Sequence, residues 1–134
     1  MFQWEDFITL SQKLFSKEES EWKEVLEGRS CEEALYRMIV SRCYYGIFKK
    51  VEDYLMNRFN FPQVGSSHEQ KIRFLQNHNN RNVQEFGRKL RSLKTLRTIA
   101  DYDSSENINR ETAKDAIQKA SELFQKWEEI INLL

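Results

Sequence analysis

The sequence predicts an all-α fold: an antiparallel bundle of four main helices plus a short one, built as a single domain over residues 1–134. Three observations predict it. One Pro and four Gly in 134 residues leave too little turn chemistry for a barrel or sandwich, which turns about every 8–12 residues. Hydrophobic residues make up 40% of the chain and aromatics 13%, more than a disordered chain carries. Apolar residues recur at three- and four-residue steps along most of its length, the pattern of helices with one buried face. Dividing this length into two cores would leave each half too small to bury its surface.

The elements follow in order. Phe2–Phe15 places Phe7, Leu10 and Leu14 at helical spacing, with Trp4 and Phe15 beside them. Trp22, Val25 and Leu26 predict the short helix, closing at Gly28. Ser30 and Glu33 form a capping box that opens a long helix. That helix runs to about Arg58, with Ala34, Leu35, Met38, Ile39, Tyr45, Phe48 and Leu55 as one buried stripe. Phe61-Pro62-Gln63-Val64-Gly65 ends it, because Pro cannot continue a helix and Gly permits a turn. Ser66 and Ser67 offer the next N-cap, and Ile72 and Leu75 give that helix its apolar side. His78-Asn79-Asn80 is a break before a helix over Asn82–Tyr102, with Val83, Phe86, Leu90, Leu93, Leu96 and Ala100 inward. After the Asp103-Ser104-Ser105 loop, Asn109 caps the last helix, whose buried face is Ala113, Ala116, Ile117, Ala120, Leu123, Trp127, Ile130 and Leu134.

Charge and cysteine content bound the partners. Lys+Arg and Asp+Glu both number 21, so no whole-molecule attraction to nucleic acid or anionic membrane is expected, and such a ligand needs a local patch. No apolar run approaches the roughly 18 residues of a membrane span, and the start lacks signal-peptide chemistry, so a cytoplasmic protein is expected. Cys31 and Cys43 fall on one predicted helix, too far apart along it for a disulfide. Two His and no Cys-x-x-Cys argue against a zinc site.

The helix over Asn82–Tyr102 carries Arg88, Lys89, Arg91, Lys94 and Arg97 against only Glu85 and Asp101. This stripe either holds phosphates or is a solvated face paired with acids elsewhere. Arg97 and Asp101, four apart, share a helix face and can form an ion pair. With Tyr102 and Asp103 they make a polar helix end suited to an anion or RNA, or simply a terminus. His68 lies in the first turn of its helix, where it contacts a partner or serves the structure. No Ser or Cys stands with a His and a carboxylate as in a nucleophilic triad, which disfavours acyl transfer. Tyr44 and Tyr45 are adjacent and cannot share one core face; Tyr45 is expected in the core and Tyr44 at an interface or site.

Three segments also resemble a known family. Ser41-Arg42-Cys43-Tyr44-Tyr45-Gly46-Ile47-Phe48 resembles the Ser-Arg-x-Tyr-Tyr-Ala-x-Phe signature of HEPN domains. Ser67-His68-Glu69 with Ile72 and Phe74 resembles a second family segment, and Leu96-Arg97-Thr98-Ile99-Ala100-Asp101-Tyr102-Asp103 a third. The likeness covers about residues 30–130 and is closest to the small stand-alone proteins of the UPF0332 type. It implies a homodimeric helical bundle in a toxin–antitoxin or defence module, often encoded beside a minimal nucleotidyltransferase. It further implies a metal-independent endoribonuclease that needs no cofactor.

The family's usual active motif is Arg, a polar residue, then His four to six residues after the Arg. Here Arg97 and Thr98 take the first two places, while the His place falls on Asp101 or Tyr102. An imidazole exchanges protons near pH 6.5, whereas Asp at about 3.9 and Tyr at about 10 do not. Under the resemblance Arg97 holds the phosphate and its transition-state charge. Asp101 and Tyr102 position RNA or stand in for His, with Arg91, Lys94 and His68 flanking. The competing reading is a non-catalytic module that binds RNA, a nucleotide or the partner nucleotidyltransferase.

Overall fold

The computed structural model describes residues 1–17, 20–21, 31–61 and 67–134. It is an all-helical bundle. Five helices are present among the described residues: α1 (Asp6–Ser16), α2 (Glu32–Arg58), α3 (Ser67–Gln76), α4 (Arg81–Tyr102) and α5 (Arg110–Ile131). The helix expected around Trp22, Val25 and Leu26, the Ser30 cap, Ser66 and the Pro62–Gly65 turn lie outside the described residues. Among those described, no helix is long and apolar enough to cross a membrane.

Contacts at the helix ends set the topology. Glu33 on α2 accepts from the Ile108 amide just before α5 (3.1 Å), and Tyr54 meets Trp127 at the far end, so α2 and α5 run parallel. Phe86 packs on the same Trp127 while Arg37 reaches the Ile99 and Ala100 carbonyls, so α4 runs antiparallel to both. Glu69 with Lys94 and Gln76 with Arg91 lay α3 antiparallel on α4. Trp4 Nε1–H donates to Asp53 (2.7 Å) and Glu5 pairs with Lys50, laying α1 antiparallel on α2.

α2 is the central helix. Its buried residues, including Val40, Cys43, Tyr44, Ile47, Phe48, Val51 and Leu55, occupy more than one face. A helix enclosed from several sides is apolar nearly all round. The expected single stripe is corrected accordingly: Met38 is 48% exposed, Ala34 is exposed, and Leu35 and Tyr45 are partly buried. On α1, Ile8 and Ser11 face inward while Leu10 is 50% exposed. The reason is close packing. A Cβ on Gly46 would lie 3.0 Å from the Trp4 carbonyl and 3.4 Å from Phe7 Cβ. At that approach α1 buries the small Ser11, and Leu10 turns away.

Two helix starts use asparagine. Asn109 Oδ1 accepts from the Thr112 amide at 3.0 Å, as expected. Asn80 does the same for the Asn82 and Val83 amides at 2.8 and 3.3 Å, so part of the expected break is the cap of α4. Each such cap contributes about 1 kcal/mol by satisfying otherwise unpaired helix N–H groups.

Candidate functional site

The buried positions of α4 are Val83, Phe86, Gly87, Leu90, Leu93, Arg97 and Ala100. Alternating three- and four-residue steps put Arg97 on the stripe that packs into the core. Leu96, expected inward, is only partly buried, while Arg97 is 7% exposed. A guanidinium is never discharged in a protein, so its burial requires compensating partners. Arg97 has few. Its Nη1 lies 3.8 Å from Asp101 Oδ2, beyond hydrogen-bond distance, and its buried Nε has no hydrogen-bond partner among the described residues. Aromatic faces supply the rest: Cζ is 5.1 Å from the Tyr44 and Tyr45 ring centres and 6.0 Å from that of Tyr102.

The central helix builds the facing wall. Ser41 Oγ–H donates to Asp101 Oδ2 (3.2 Å), and Arg42 Nη2 donates to Ser41 Oγ (3.3 Å). Arg42 Cζ lies 4.9 Å from the Tyr45 ring centre and 5.6 Å from that of Phe7. Arg42 and Arg97 thus both approach the ring of one partly buried tyrosine, and Ser41 links Arg42 to the Asp101 beside Arg97. Tyr102 is 75% exposed and edges the site towards solvent.

α3 contributes His68. Its ring stacks on Phe48 (centres 3.9 Å apart, planes at 11°), and Nδ1 lies 2.8 Å from the Tyr44 hydroxyl. Burial, then the positive charges of Arg97, Lys94 and Lys49, press its pKa down to about 4 against the opposing Glu52. Burial likewise pushes the Tyr44 phenol up, opposed by Arg97. Both groups are neutral at pH 7.

The sequence-predicted residues separate into two sets. Arg97, Asp101, Tyr102 and His68 converge. Arg91 and Lys94 are spent elsewhere: Arg91 donates to Glu69 (2.7 and 3.2 Å) and to Gln76 (2.8 Å), and Lys94 donates to Glu69 at 3.1 Å. Hydrogen bonds from Arg91 and Lys94, opposed by partial burial, hold the Glu69 carboxyl near pKa 2. Two cations of the predicted stripe therefore clamp α3 to α4. The core placement of the two tyrosines is reversed: Tyr44 is the buried one. It is 0% exposed within this chain, because Tyr44, Phe48, Val51 and Leu55 form the α2 core register; Tyr45, expected in the core, takes the outer position instead, and Tyr44 lies beside His68 and Arg97.

Sequence reasoning missed three residues. Ser41 and Arg42 were legible only as motif members; neither spacing nor charge singles them out. Arg37 donates to the carbonyls of Ile99 (3.1 Å), Ala100 (2.9 Å) and Glu106, closing the C-terminal end of α4 where Asp101 and Tyr102 sit. Beyond that end lies a surface cavity of about 350 Å³ lined by Glu33, Arg37, Asp101, Tyr102 and Asp103. Its acidic excess makes it a poor seat for an anion. A cavity of about 410 Å³ over Phe86, Leu123 and Ile130 lies towards the opposite end of α4, rimmed by acids and lysines in alternation.

Side by side with known proteins, residues 28–130 match one family model, described as HEPN domain. No curated protein and no solved structure matches the chain.

Proposed function

Since the chain belongs to the HEPN domain family, we propose that it acts on RNA and grips an RNA phosphate at the Arg97 site. One observation carries this reading: a guanidinium buried to 7% exposure whose Nε has no hydrogen-bond partner among the described residues. A buried donor without a partner is costly, and a phosphate oxygen is the acceptor that fits both its charge and its geometry. Arg42, at the same Tyr45 ring, adds a second cation, and the exposed Tyr102 ring offers a surface on which a base stacks. The reading brings with it a cytoplasmic homodimer in a two-gene toxin–antitoxin or defence module, with a minimal nucleotidyltransferase as partner.

Metal-independent cleavage of the bound RNA is the second reading, supported by the convergence of Arg97, Asp101 and Tyr102. Attack by the 2′-oxygen on phosphorus requires a proton acceptor, and departure of the 5′-oxygen requires a donor. Asp101 is the carboxylate in place, already engaged by Ser41 and near Arg97. Geometry therefore favours recognition over turnover.

The experiment is a mixed single-stranded RNA pool in EDTA with wild type and Arg97→Ala, following both affinity and product ends. Loss of affinity by about tenfold or more in the variant is expected for one charge-assisted contact. Products with 2′,3′-cyclic phosphate ends from wild type alone would establish the second reading. Equal affinity in both proteins would remove Arg97 from the site, and tighter binding of ATP than of RNA would reassign the ligand to a nucleotide. Light scattering on the purified protein tests the homodimer.

A further inference from the structure

The hydrogen bond between Tyr44 and His68 has a direction, and the direction decides what His68 presents to a ligand. Tyr44 is enclosed at 0% exposure. Its hydroxyl has one hydrogen to place, and among the described residues His68 Nδ1, at 2.8 Å, is the hydrogen-bond partner in reach. Were Nδ1 protonated, two hydrogens would face each other or the phenol O–H would be buried without an acceptor. Arg97 also stands close to the Tyr44 ring, and it only donates. Tyr44 O–H therefore donates to Nδ1, and the neutral ring carries its hydrogen on Nε2.

We infer that His68 is a phosphate-binding residue of the Arg97 site, presenting a neutral Nε2–H donor whose tautomer Tyr44 holds in place. Arg97 and His68 come from different helices but touch the same two rings. Arg97 Cζ is 5.1 Å from both tyrosine centres; the His68 ring centre is 5.8 Å from Tyr44 and 6.0 Å from Tyr45. His68 as a residue is partly exposed, and stacking on Phe48 fixes the plane of its ring. The other histidine serves a different purpose: His78 Nδ1 accepts from the Asn80 amide at 3.0 Å in the α3–α4 turn.

A neutral donor works differently from an acid–base histidine. It contributes the same hydrogen bond across the whole range in which it stays uncharged. The groups facing it are Tyr44, Lys49 and Glu52 from α2 and Lys94 and Arg97 from α4. Lys49 pairs with Glu52 and Lys94 with Glu69, so Arg97 is the cation that most opposes a further positive charge there. His68 thus complements Arg97 without adding to the repulsion around it, as a neutral imidazole can polarise an anionic ligand where an imidazolium cannot form.

This inference rests on the Arg97 reading, and its test separates the two. A short single-stranded oligouridine is titrated against wild type, His68→Gln, His68→Phe, Tyr44→Phe and Arg97→Ala, with circular dichroism on each. Gln keeps an N–H donor but exchanges no proton; Phe keeps the flat ring on Phe48 but donates nothing. Expected affinities are within about twofold of wild type for Gln and about tenfold weaker for Phe. In ¹⁵N spectra of the free protein His68 is protonated on Nε2 from about pH 5 to 8, and in Tyr44→Phe, which preserves shape, both tautomers appear. Wild-type affinity in His68→Phe, equal loss in Gln and Phe, or an Nδ1–H tautomer in the native protein would overturn it. If Arg97→Ala weakens binding while His68→Phe does not, only the His68 assignment fails. If Arg97→Ala binds normally, the site itself is misplaced.

Discussion

Residue identity at Arg97 and His68 separates this site from an ordinary helix surface. An arginine four residues after Leu93 and three before Ala100 lies in core register, and the aromatic faces of Tyr44, Tyr45 and Tyr102 together with the nearby Asp101 carboxylate make that position tolerable. His68 has a measurable consequence for stability. In the unfolded chain it titrates near its ordinary 6.5, while in the fold burial and neighbouring cations hold it to about 4. Between those values the unfolded state binds the extra proton, so stability is complete above about pH 6.5 and declines as pH falls towards 4. Glu69, held near 2 by Arg91 and Lys94 against its usual 4.5, loses its contribution over the next span down, towards pH 2. Urea unfolding across pH 4–7 should show the first decline in wild type and a flatter profile in His68→Gln. An unchanged slope in that variant would place the responsible proton elsewhere.

Elements are held at two glycines whose roles differ in degree. A Cβ on Gly87 would stand 2.9 Å from the Gln76 amide nitrogen and 3.0 Å from Leu75 Cβ. Those atoms belong to the last turn of α3 and cannot move without shifting the helix. Gly→Ala inside a helix gains up to about 1 kcal/mol in propensity, whereas overpacking costs about 1–3 kcal/mol. Gly87→Ala should therefore destabilise by about 1 kcal/mol or more and loosen α3, the helix that carries His68 and Glu69. Gly46→Ala, set against the chain just ahead of α1, should cost less. Chemical denaturation of both variants checks the order, and a neutral Gly87→Ala would show that α3 can slide along α4. The cap of α5 was legible in the sequence because Asn109 and its amide partner are three residues apart. The clamp of α3 onto α4 was not, because Glu69 and Arg91 are 22 residues apart and no local rule pairs them.

Across the whole molecule the charges cancel at 21 against 21, and much of the apparent basic stripe on α4 is consumed internally. Arg91 and Lys94 serve Glu69, and Arg88 serves Glu85. That leaves little of this stripe to displace counterions from RNA. If Arg97 and Arg42 make the phosphate contacts, log affinity should fall with log salt at a slope of about −1 to −1.5, since each phosphate on a single strand contributes about −0.7. Titrations at several salt concentrations measure it. A slope several times steeper would mean that a broader basic surface, such as one assembled by two copies, carries the binding.

The helical class, four of the helix spans and the Asn109 cap were determined by the sequence itself, because periodicity and capping are local and act within a few residues. The motif residues that meet at the site were also visible in it, as separate segments. Tertiary structure alone decided their roles. It buried Arg97 and Tyr44, turned Tyr45 outward, joined Asp101 to Ser41, and withdrew Arg91 and Lys94 into a clamp. It also brought His68 to the tyrosines that hold Arg97. Each of those outcomes depends on which helices lie side by side, and on what a charge or hydroxyl finds when water is excluded. Spacing along one chain segment does not contain that information.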